Sequence, residues 1–184
     1  MKKVRARRKY LAKRDKLIGA ARERAQSALE ENLFSLGGFF DARDYFVYLS
    51  FGSEVATNNI ISALVNRGKR VYVPKLSNGK MLAVKISGGM KVNAFGIAEP
   101  TDTIEAEKID VCITPLAAAD RLLHRVGYGK GYYDRFFAEN ECVKIGVCFS
   151  AQFSEKEIET ESTDVALDVL VSEKWIKRKE SESV

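Results

Sequence analysis

The fold class follows from residues 45–73, which read YFVYLSFGSEVATNNIISALVNRGKRVYV. The first five of these residues form an apolar run of strand length, and Val71-Tyr-Val73 is a second run that ends before Pro74. Between the two runs, apolar residues recur at helical spacing behind Ser53, a good N-cap residue, and Gly68 marks the C-terminal end. A strand, a helix and a strand in this order form a right-handed crossover, which predicts a parallel sheet.

The rest of the chain continues this alternation. Asn78-Gly79 predicts a hairpin turn, residues 132–140 a short helix, and apolar runs at 109–114, 143–149 and 168–172 further buried strands. We therefore expect a three-layer α/β/α domain, Rossmann-like, with a mostly parallel central sheet and a small β-hairpin.

The two ends of the chain differ from this middle part. Residues 1–36 are expected to form a basic N-terminal helix with an apolar stripe that includes Leu11, Ile18 and Leu29. Residues 176–184 are charged and poor in apolar side chains, so we expect a disordered tail. The length of 184 residues predicts a single domain over 1–184.

Composition excludes several classes of protein. Apolar residues make up 46% of the chain, yet no run of about 18 of them occurs, and no apolar signal core follows the N-terminal Met-Lys-Lys, so we expect a cytoplasmic protein. One histidine, His124, excludes a zinc site built from several histidines. The three cysteines lack a C-x-x-C pair and are expected to be reduced.

The segment that points most directly to a function is residues 125–135, RVGYGKGYYDR, which combines three glycines with charged and aromatic residues. Alternating glycines leave the backbone N–H groups free to crowd around an anion, and Lys130 adds a positive charge inside the loop. Asp134 follows as a hard oxygen ligand for a divalent cation. The spacing is neither that of a Walker A loop nor that of a dinucleotide-binding fingerprint. The residue types nevertheless predict a site for a nucleotide triphosphate.

Two other functions are compatible with parts of the sequence. The net charge of +5 is concentrated in residues 2–24, which would suit a nucleic-acid-binding module. That hypothesis leaves Asp134, Asp164 and Glu54 without a role. A nucleotide-binding regulator without turnover is the third hypothesis.

With these pieces in order, the chain resembles the 5-formyltetrahydrofolate cyclo-ligase family over about residues 3–172. The anchor is the string at 125–135, and the weaker supporting segments are 48–57, 67–74, 96–100 (GIAEP) and 163–168 (TDVALD). The resemblance implies an ATP-dependent conversion of 5-formyltetrahydrofolate into 5,10-methenyltetrahydrofolate, with release of ADP and phosphate and with Mg²⁺ as the metal. The formyl oxygen would be phosphorylated, and a folate nitrogen would then close the ring.

The resemblance also implies roles for individual residues. Lys130 and Asp134 would be catalytic. The ATP-binding residues would be Lys3, Arg7, Arg125, Gly127, Tyr128, Gly129, Lys130, Gly131, Tyr132 and Tyr133. Glu54 would hold the folate, and the residue types of Leu49, Phe51 and Tyr132 suit a wall for its pterin ring. The metal ligands would be Asp134 and Asp164, with Asp168 as the alternative to the latter.

The expected partners are therefore small molecules, ATP and a reduced folate. We expect a monomer that binds neither a membrane nor nucleic acid.

Overall fold

The computed structural model describes residues 1–86, 90–92, 98–101 and 104–179. Its helices are α1 (Lys3–Arg14), α2 (Gly19–Phe34), α3 (Asn58–Asn66) and α4 (Tyr132–Glu139). Its strands are β1 (Asp44–Val47), β2 (Arg70–Ser77), β3 (Lys80–Lys85), β4 (Met90–Val92), β5 (Ala98–Pro100), β6 (Val111–Thr114), β7 (Ala118–Asp120), β8 (Arg125–Val126), β9 (Val143–Val147), β10 (Phe153–Ser154), β11 (Val169–Val171) and β12 (Ile176–Arg178).

A seven-stranded sheet with the order β12-β11-β9-β6-β1-β2-β3 forms the centre of the molecule. The five inner strands run parallel, and the edge strands β3 and β12 are antiparallel to their neighbours. The prediction of a mostly parallel central sheet is confirmed. Both expected halves of the crossover, β1 and β2, are direct neighbours in this sheet.

Alternation along the buried strands distributes side chains to the two faces of the sheet. Tyr45 and Val47 of β1 belong to the same apolar cluster as Leu33 of α2 and Leu64 of α3. Phe46, which lies between them in sequence, packs with the phenylalanines of α4 on the opposite face. Since successive strand residues point to opposite faces, one strand contributes to both layers of helices.

The N-terminal basic segment is two helices rather than the single one that we expected. Ile18 has an extended backbone, with φ −131° and ψ 167°, and this conformation separates α1 from α2. The buried face of α1 consists of Ala6, Tyr10 and Arg14, whereas Ile18 is exposed. The predicted stripe of Leu11 and Ile18 was therefore wrong for α1, although Leu29 of α2 is buried as expected.

The helix of the crossover begins later than predicted, at Asn58 instead of after Ser53. Residues 51–54 form a turn, in which the backbone N–H of Glu54 donates to the carbonyl of Phe51 at 3.2 Å. The Ser53 hydroxyl accepts a hydrogen bond from Arg14 instead of capping the helix. The N-cap residue of the helix is Thr57.

The hairpin is confirmed, with Asn78 and Gly79 at φ 49° and 77° in its turn, but its first strand does not stop at Pro74. The carbonyl of Val71 accepts from the N–H of Ile86, so the backbone groups of the odd-numbered residues of β2 point to β3. The backbone groups of the even-numbered residues, which include Pro74, point to β1. The register with β1 ends at Tyr72, and a missing N–H at Pro74 therefore costs no hydrogen bond with β1. The hairpin extends the main sheet.

A second, three-stranded sheet with the order β10-β7-β8 was not anticipated. Its turn is fixed by the buried carboxylate of Asp120, which accepts from the backbone N–H groups of Leu122 and His124, each at 3.0 Å, and of Ile158 at 2.9 Å. Because β8 leads directly into the glycine-rich segment, this small sheet sets the starting point of the loop.

The expected disorder of residues 176–184 is wrong for its first part, because Ile176–Arg178 pair with β11 as an edge strand. Residues 180–184 lie outside the described residues, as do Gly96 and Ile97 of the supporting segment GIAEP. Within the described ranges, no helix has the length and the apolar character needed to cross a membrane.

Candidate active site

A cavity of about 940 Å³ opens beside the glycine-rich loop. Its volume is in the range of small-molecule and cofactor sites. Among the residues that line it are Lys3, Arg7, Arg125, Gly127, Tyr128, Gly129, Lys130, Gly131, Tyr132, Tyr133, Asp134, Arg135, Glu161, Asp164 and Val165. The structure thus brings together all the residues expected at the ATP and metal sites.

Three arginines pack against the three glycines of the loop. A Cβ atom built on Gly127 would lie 3.0 Å from the guanidinium of Arg125, and one on Gly131 would lie 3.0 Å from that of Arg135. At Gly129 the corresponding distance to Arg7 is 3.3 Å. The glycines therefore permit a close approach of positive charge to the loop backbone, which favours an anionic ligand.

The loop ends in the first turn of α4, with Gly131 as the N-cap residue. The first backbone N–H groups of a helix lack intrahelical partners, and the helix dipole adds partial positive charge at this end. Asp134 lies in this first turn. Its carboxylate accepts from the guanidinium of Arg125 at 3.0 Å. A carboxylate and several cations thus share one cavity.

Helix α1 contributes cations to the site from another part of the chain. The Nε of Arg7 donates to the carbonyl of Gly127 at 2.8 Å, and Lys3 donates to Asp164 at 2.7 Å. Burial alone would raise the pKa of Asp164, but the hydrogen bonds from Lys3 and from the backbone of Glu161 lower it below its usual value. Asp164 is therefore ionised at neutral pH.

Arg125 is the most buried cation of the cavity, with 8% of the residue exposed. Its guanidinium lies over the ring of Tyr133 at 5.3 Å, and its Nε has no hydrogen-bond partner among the described residues. Tyr133 itself packs near Phe46 and Phe137, in the core layer beneath α4. Burial raises the pKa of the Tyr133 hydroxyl, which is therefore neutral.

The residues expected to hold the folate lie in the turn after β1, outside the lining of this cavity, except for Tyr132. Phe51 is 64% exposed, and its backbone N–H donates to the Glu54 carboxylate at 2.9 Å. Leu49 is half-buried at the start of the same segment. The two groups of residues are close enough to interact electrostatically, because the pKa of the Tyr128 hydroxyl is raised by burial and then by the charge of Glu54.

Asp168, the alternative metal ligand, lies outside the cavity. Its carboxylate accepts from the backbone N–H of Lys144 at 2.7 Å and from the Lys144 ammonium at 3.4 Å, which ties the start of β11 to β9. In the part of the chain that is described, no group of three or more His, Cys, Asp or Glu residues is arranged to hold a metal ion.

The family model described as the 5-formyltetrahydrofolate cyclo-ligase family matches residues 1–173. The chain belongs to this family. It is therefore an enzyme of the ligase class, and the resemblance drawn from the glycine-rich string is confirmed.

Several relatives of known name support this assignment. A 5-formyltetrahydrofolate cyclo-ligase of Haemophilus influenzae is 29% identical over 171 residues, which cover 86% of this chain and 91% of the relative. The enzyme of the same name from Escherichia coli is 34% identical over 138 residues, covering 68% and 75%. The NMR structure of a 5,10-methenyltetrahydrofolate synthetase from Aquifex aeolicus superposes with a TM-score of 0.88 at 30% identity, covering 100% of this chain and 96% of that one.

Three arginines of this region were not predicted as site residues. Arg135 lines the cavity, while Arg14 and Arg22 hold the turn that carries Glu54. A usable signal exists for Arg14, since Lys3, Arg7, Tyr10 and Arg14 recur at helical spacing on one face of α1. Arg135 ends the glycine-rich string 125–135, so its charge was part of the signal for an anion site, whereas Arg22 has no comparable pattern in the sequence.

Proposed function

We propose that this protein uses ATP to convert 5-formyltetrahydrofolate into 5,10-methenyltetrahydrofolate, with ADP and phosphate as the other products. The observation that carries the proposal is the glycine-rich loop enclosed by arginines at a cavity of about 940 Å³. Such a loop suits a polyphosphate ligand, and the family to which the chain belongs indicates that the second substrate is a folate. Phosphoryl transfer requires mainly positioning and compensation of negative charge, which a cluster of fixed cations supplies.

In the proposed reaction, the formyl oxygen attacks the γ-phosphorus of ATP, and the bond to the bridging oxygen of ADP breaks. The resulting imidoyl phosphate has an activated carbon, since phosphate is a better leaving group than an amide oxygen. The second folate nitrogen attacks this carbon, loses its proton and expels phosphate as the ring closes. Lys130, Lys3 and Arg7 would contact the phosphates, together with backbone N–H groups of residues 127–133.

We assign the metal position to Asp134 and Asp164, which both line the cavity. Mg²⁺ in nucleotide sites is commonly bound by one or two carboxylates together with the phosphates, so a cage of protein ligands is not needed. The metal would neutralise charge on the phosphates. Asp168 is the poorer candidate because it does not line the cavity.

We assign the folate to the turn after β1. A carboxylate that accepts two N–H groups suits the aminopyrimidine edge of a pterin, which supports a role for Glu54. The exposed ring of Phe51, with Leu49 and Tyr132, would supply an apolar wall. Arg14, which donates to both Ser53 and Tyr128, links this turn to the phosphate side of the site, as expected for two substrates that must meet.

The test is formation of the methenyl chromophore by purified protein supplied with ATP, Mg²⁺ and 5-formyltetrahydrofolate. Lys130→Ala should lower kcat/KM for ATP by about tenfold or more, because a cation beside phosphate is removed. Lys80→Ala, at the exposed hairpin end, is the matched control and should leave the rate unchanged. Absence of the chromophore with the wild-type protein would refute the proposal.

A further inference from the structure

Arg14, the last residue of α1, connects the turn after β1, where we place the folate, with the glycine-rich loop, where we place ATP. Arg14 itself does not line the cavity. Only 6% of the residue is exposed. Its Nε donates to the Ser53 hydroxyl at 2.9 Å, and its Nη1 donates to the Tyr128 hydroxyl at 2.8 Å. One guanidinium thus bonds both the turn after β1 and the glycine-rich loop, which are separated by more than seventy residues in sequence.

Tyr128 extends this connection to Glu54. Burial of the hydroxyl and then the negative charge of Glu54 raise the pKa of Tyr128, while the hydrogen bond from Arg14 lowers it. The hydroxyl is therefore protonated, and it accepts from Arg14 while its own proton is available to Glu54. Arg14 is thus bonded to the Tyr128 hydroxyl, and the charge of Glu54 acts on the same hydroxyl.

The turn itself is held on its other side by α2. Arg22 donates to the carbonyl of Ser53 at 3.0 Å and to that of Glu54 at 2.6 Å. These bonds fix the backbone of the turn without contact to the glycine-rich loop. Arg14 differs from Arg22 because, of the hydrogen bonds that these two arginines make with the described residues, only those of Arg14 join the turn to the loop.

We propose that Arg14 is a positioning residue, which holds the Glu54 turn against the glycine-rich loop through Ser53 and Tyr128. This inference rests on the proposed function, because it concerns where the folate is held relative to ATP. A charged, buried hydrogen-bond donor fixes direction as well as distance. Loss of Arg14 therefore displaces Tyr128 and Glu54 relative to one another.

The experiment compares steady-state constants of Arg14→Met with those of Arg14→Lys and Arg24→Met. Arg14→Met should raise KM for 5-formyltetrahydrofolate about tenfold, since two hydrogen bonds to a charged donor are lost. Arg14→Lys retains the charge and can restore one contact at a time, so the increase should be smaller. Arg24 is exposed on α2, and Arg24→Met, the matched control, should leave KM unchanged.

A double-mutant cycle separates positioning from a purely structural role. Tyr128→Phe removes the hydroxyl that Arg14 bonds, so it should raise folate KM in the wild type but have little further effect beside Arg14→Met. The constants are measured well below the melting temperature of every variant. Tyr128→Phe removes only the hydroxyl and retains the ring, so it is expected to leave the packing of the loop unchanged. The comparison with and without Arg14→Met therefore reports on the hydrogen bond, even where Arg14→Met lowers the melting temperature.

Two results would contradict the inference. One is an unchanged folate KM in Arg14→Met with normal turnover, which refutes the role of Arg14 and leaves the proposed function intact. The other is full additivity of the two substitutions, which shows that Arg14 does not act through Tyr128. If the wild-type protein gives no methenyl product, the proposed function fails, and the role of Arg14 fails with it.

Discussion

Gly129 is the residue of the loop whose conformation depends most on the lack of a side chain. Its φ of 95° lies in a region that L-residues rarely adopt, and an added Cβ would also meet Arg7 at 3.3 Å. We expect Gly129→Ala to raise KM for ATP about tenfold, because strain of about 1–2 kcal/mol would shift the loop.

Gly37→Ala is the matched control for this substitution, because a Cβ atom built on Gly37 would meet no atom of the described residues within 4 Å and Gly37 has no positive φ. Steady-state kinetics at saturating folate measure both variants. Equal KM values for ATP in Gly129→Ala and the wild type would show that the observed loop conformation is not needed for nucleotide binding.

The three aspartates considered as metal ligands, Asp134, Asp164 and Asp168, have different surroundings, and this difference predicts how their substitution changes the Mg²⁺ requirement. Asp134→Asn should increase the Mg²⁺ concentration needed for half-maximal activity, because it removes a cavity carboxylate. Asp168→Asn should leave that concentration unchanged and lower the melting temperature, since Asp168 joins β9 to the start of β11. Activity titrated with Mg²⁺ and thermal unfolding give the two readouts. A shift of the Mg²⁺ requirement in Asp168→Asn alone would reverse our assignment.

At the scale of elements, helix α1 forms one wall of the site, because residues spaced three or four apart lie on the same face of a helix. Lys3, Arg7, Tyr10 and Arg14 lie on one face, and this face contacts in turn Asp164, the glycine-rich loop and Ser53. Arg8 is the immediate neighbour of Arg7 in sequence but is exposed. Two adjacent arginines therefore differ completely in what they contact.

We expect Arg7→Met to raise KM for ATP by about tenfold and Arg8→Met to have no effect, although both remove the same charge. Long-range attraction would affect both variants alike and would weaken with salt. Kinetics at low and high ionic strength distinguish these cases. A similar loss in the two variants would mean that α1 acts through its overall charge and not through a specific face.

The elements also show what could be predicted from the sequence. The parallel core followed from apolar runs and a helical stripe, which are local signals. The start of α3 was placed too early because Ser53 was taken as its N-cap, whereas Ser53 bonds Arg14 of a distant helix and Thr57 is the N-cap residue. The small sheet escaped notice because β8 has only two residues, Arg125 and Val126, and depends on the buried carboxylate of Asp120 for its turn.

At the scale of the whole molecule, sheet order explains why two distant segments form one site. β1 and β6 are parallel neighbours, so their carboxyl ends meet at one edge of the sheet. The turn with Glu54 follows β1, and the chain after β6 leads through β7 and β8 into the glycine-rich loop. This convergence was predictable from strand order, whereas the contact through Arg14 and Tyr128 required the structure.

A buried tyrosine of the core, Tyr45, predicts how the stability of the protein responds to alkaline pH. The Tyr45 hydroxyl donates to the carbonyl of Phe39, and burial, followed by the charges of Asp110 and Asp41, raises the pKa of Tyr45 to about 12. In the unfolded chain this pKa is about 10. The neutral form thus stabilises the fold fully below about pH 10, and this contribution is lost as the pH rises to about 12.

We therefore expect the free energy of unfolding, measured with urea at a series of pH values, to fall over that alkaline range. Tyr45→Phe should be less stable than the wild type at neutral pH, by about 1 kcal/mol for the lost hydrogen bond. Its decline at alkaline pH should be shallower, because one raised pKa has been removed. Some decline should remain, since burial also raises the pKa values of Tyr48 and Tyr133. Parallel pH profiles for the variant and the wild type would show that ionisation of Tyr45 is not coupled to unfolding.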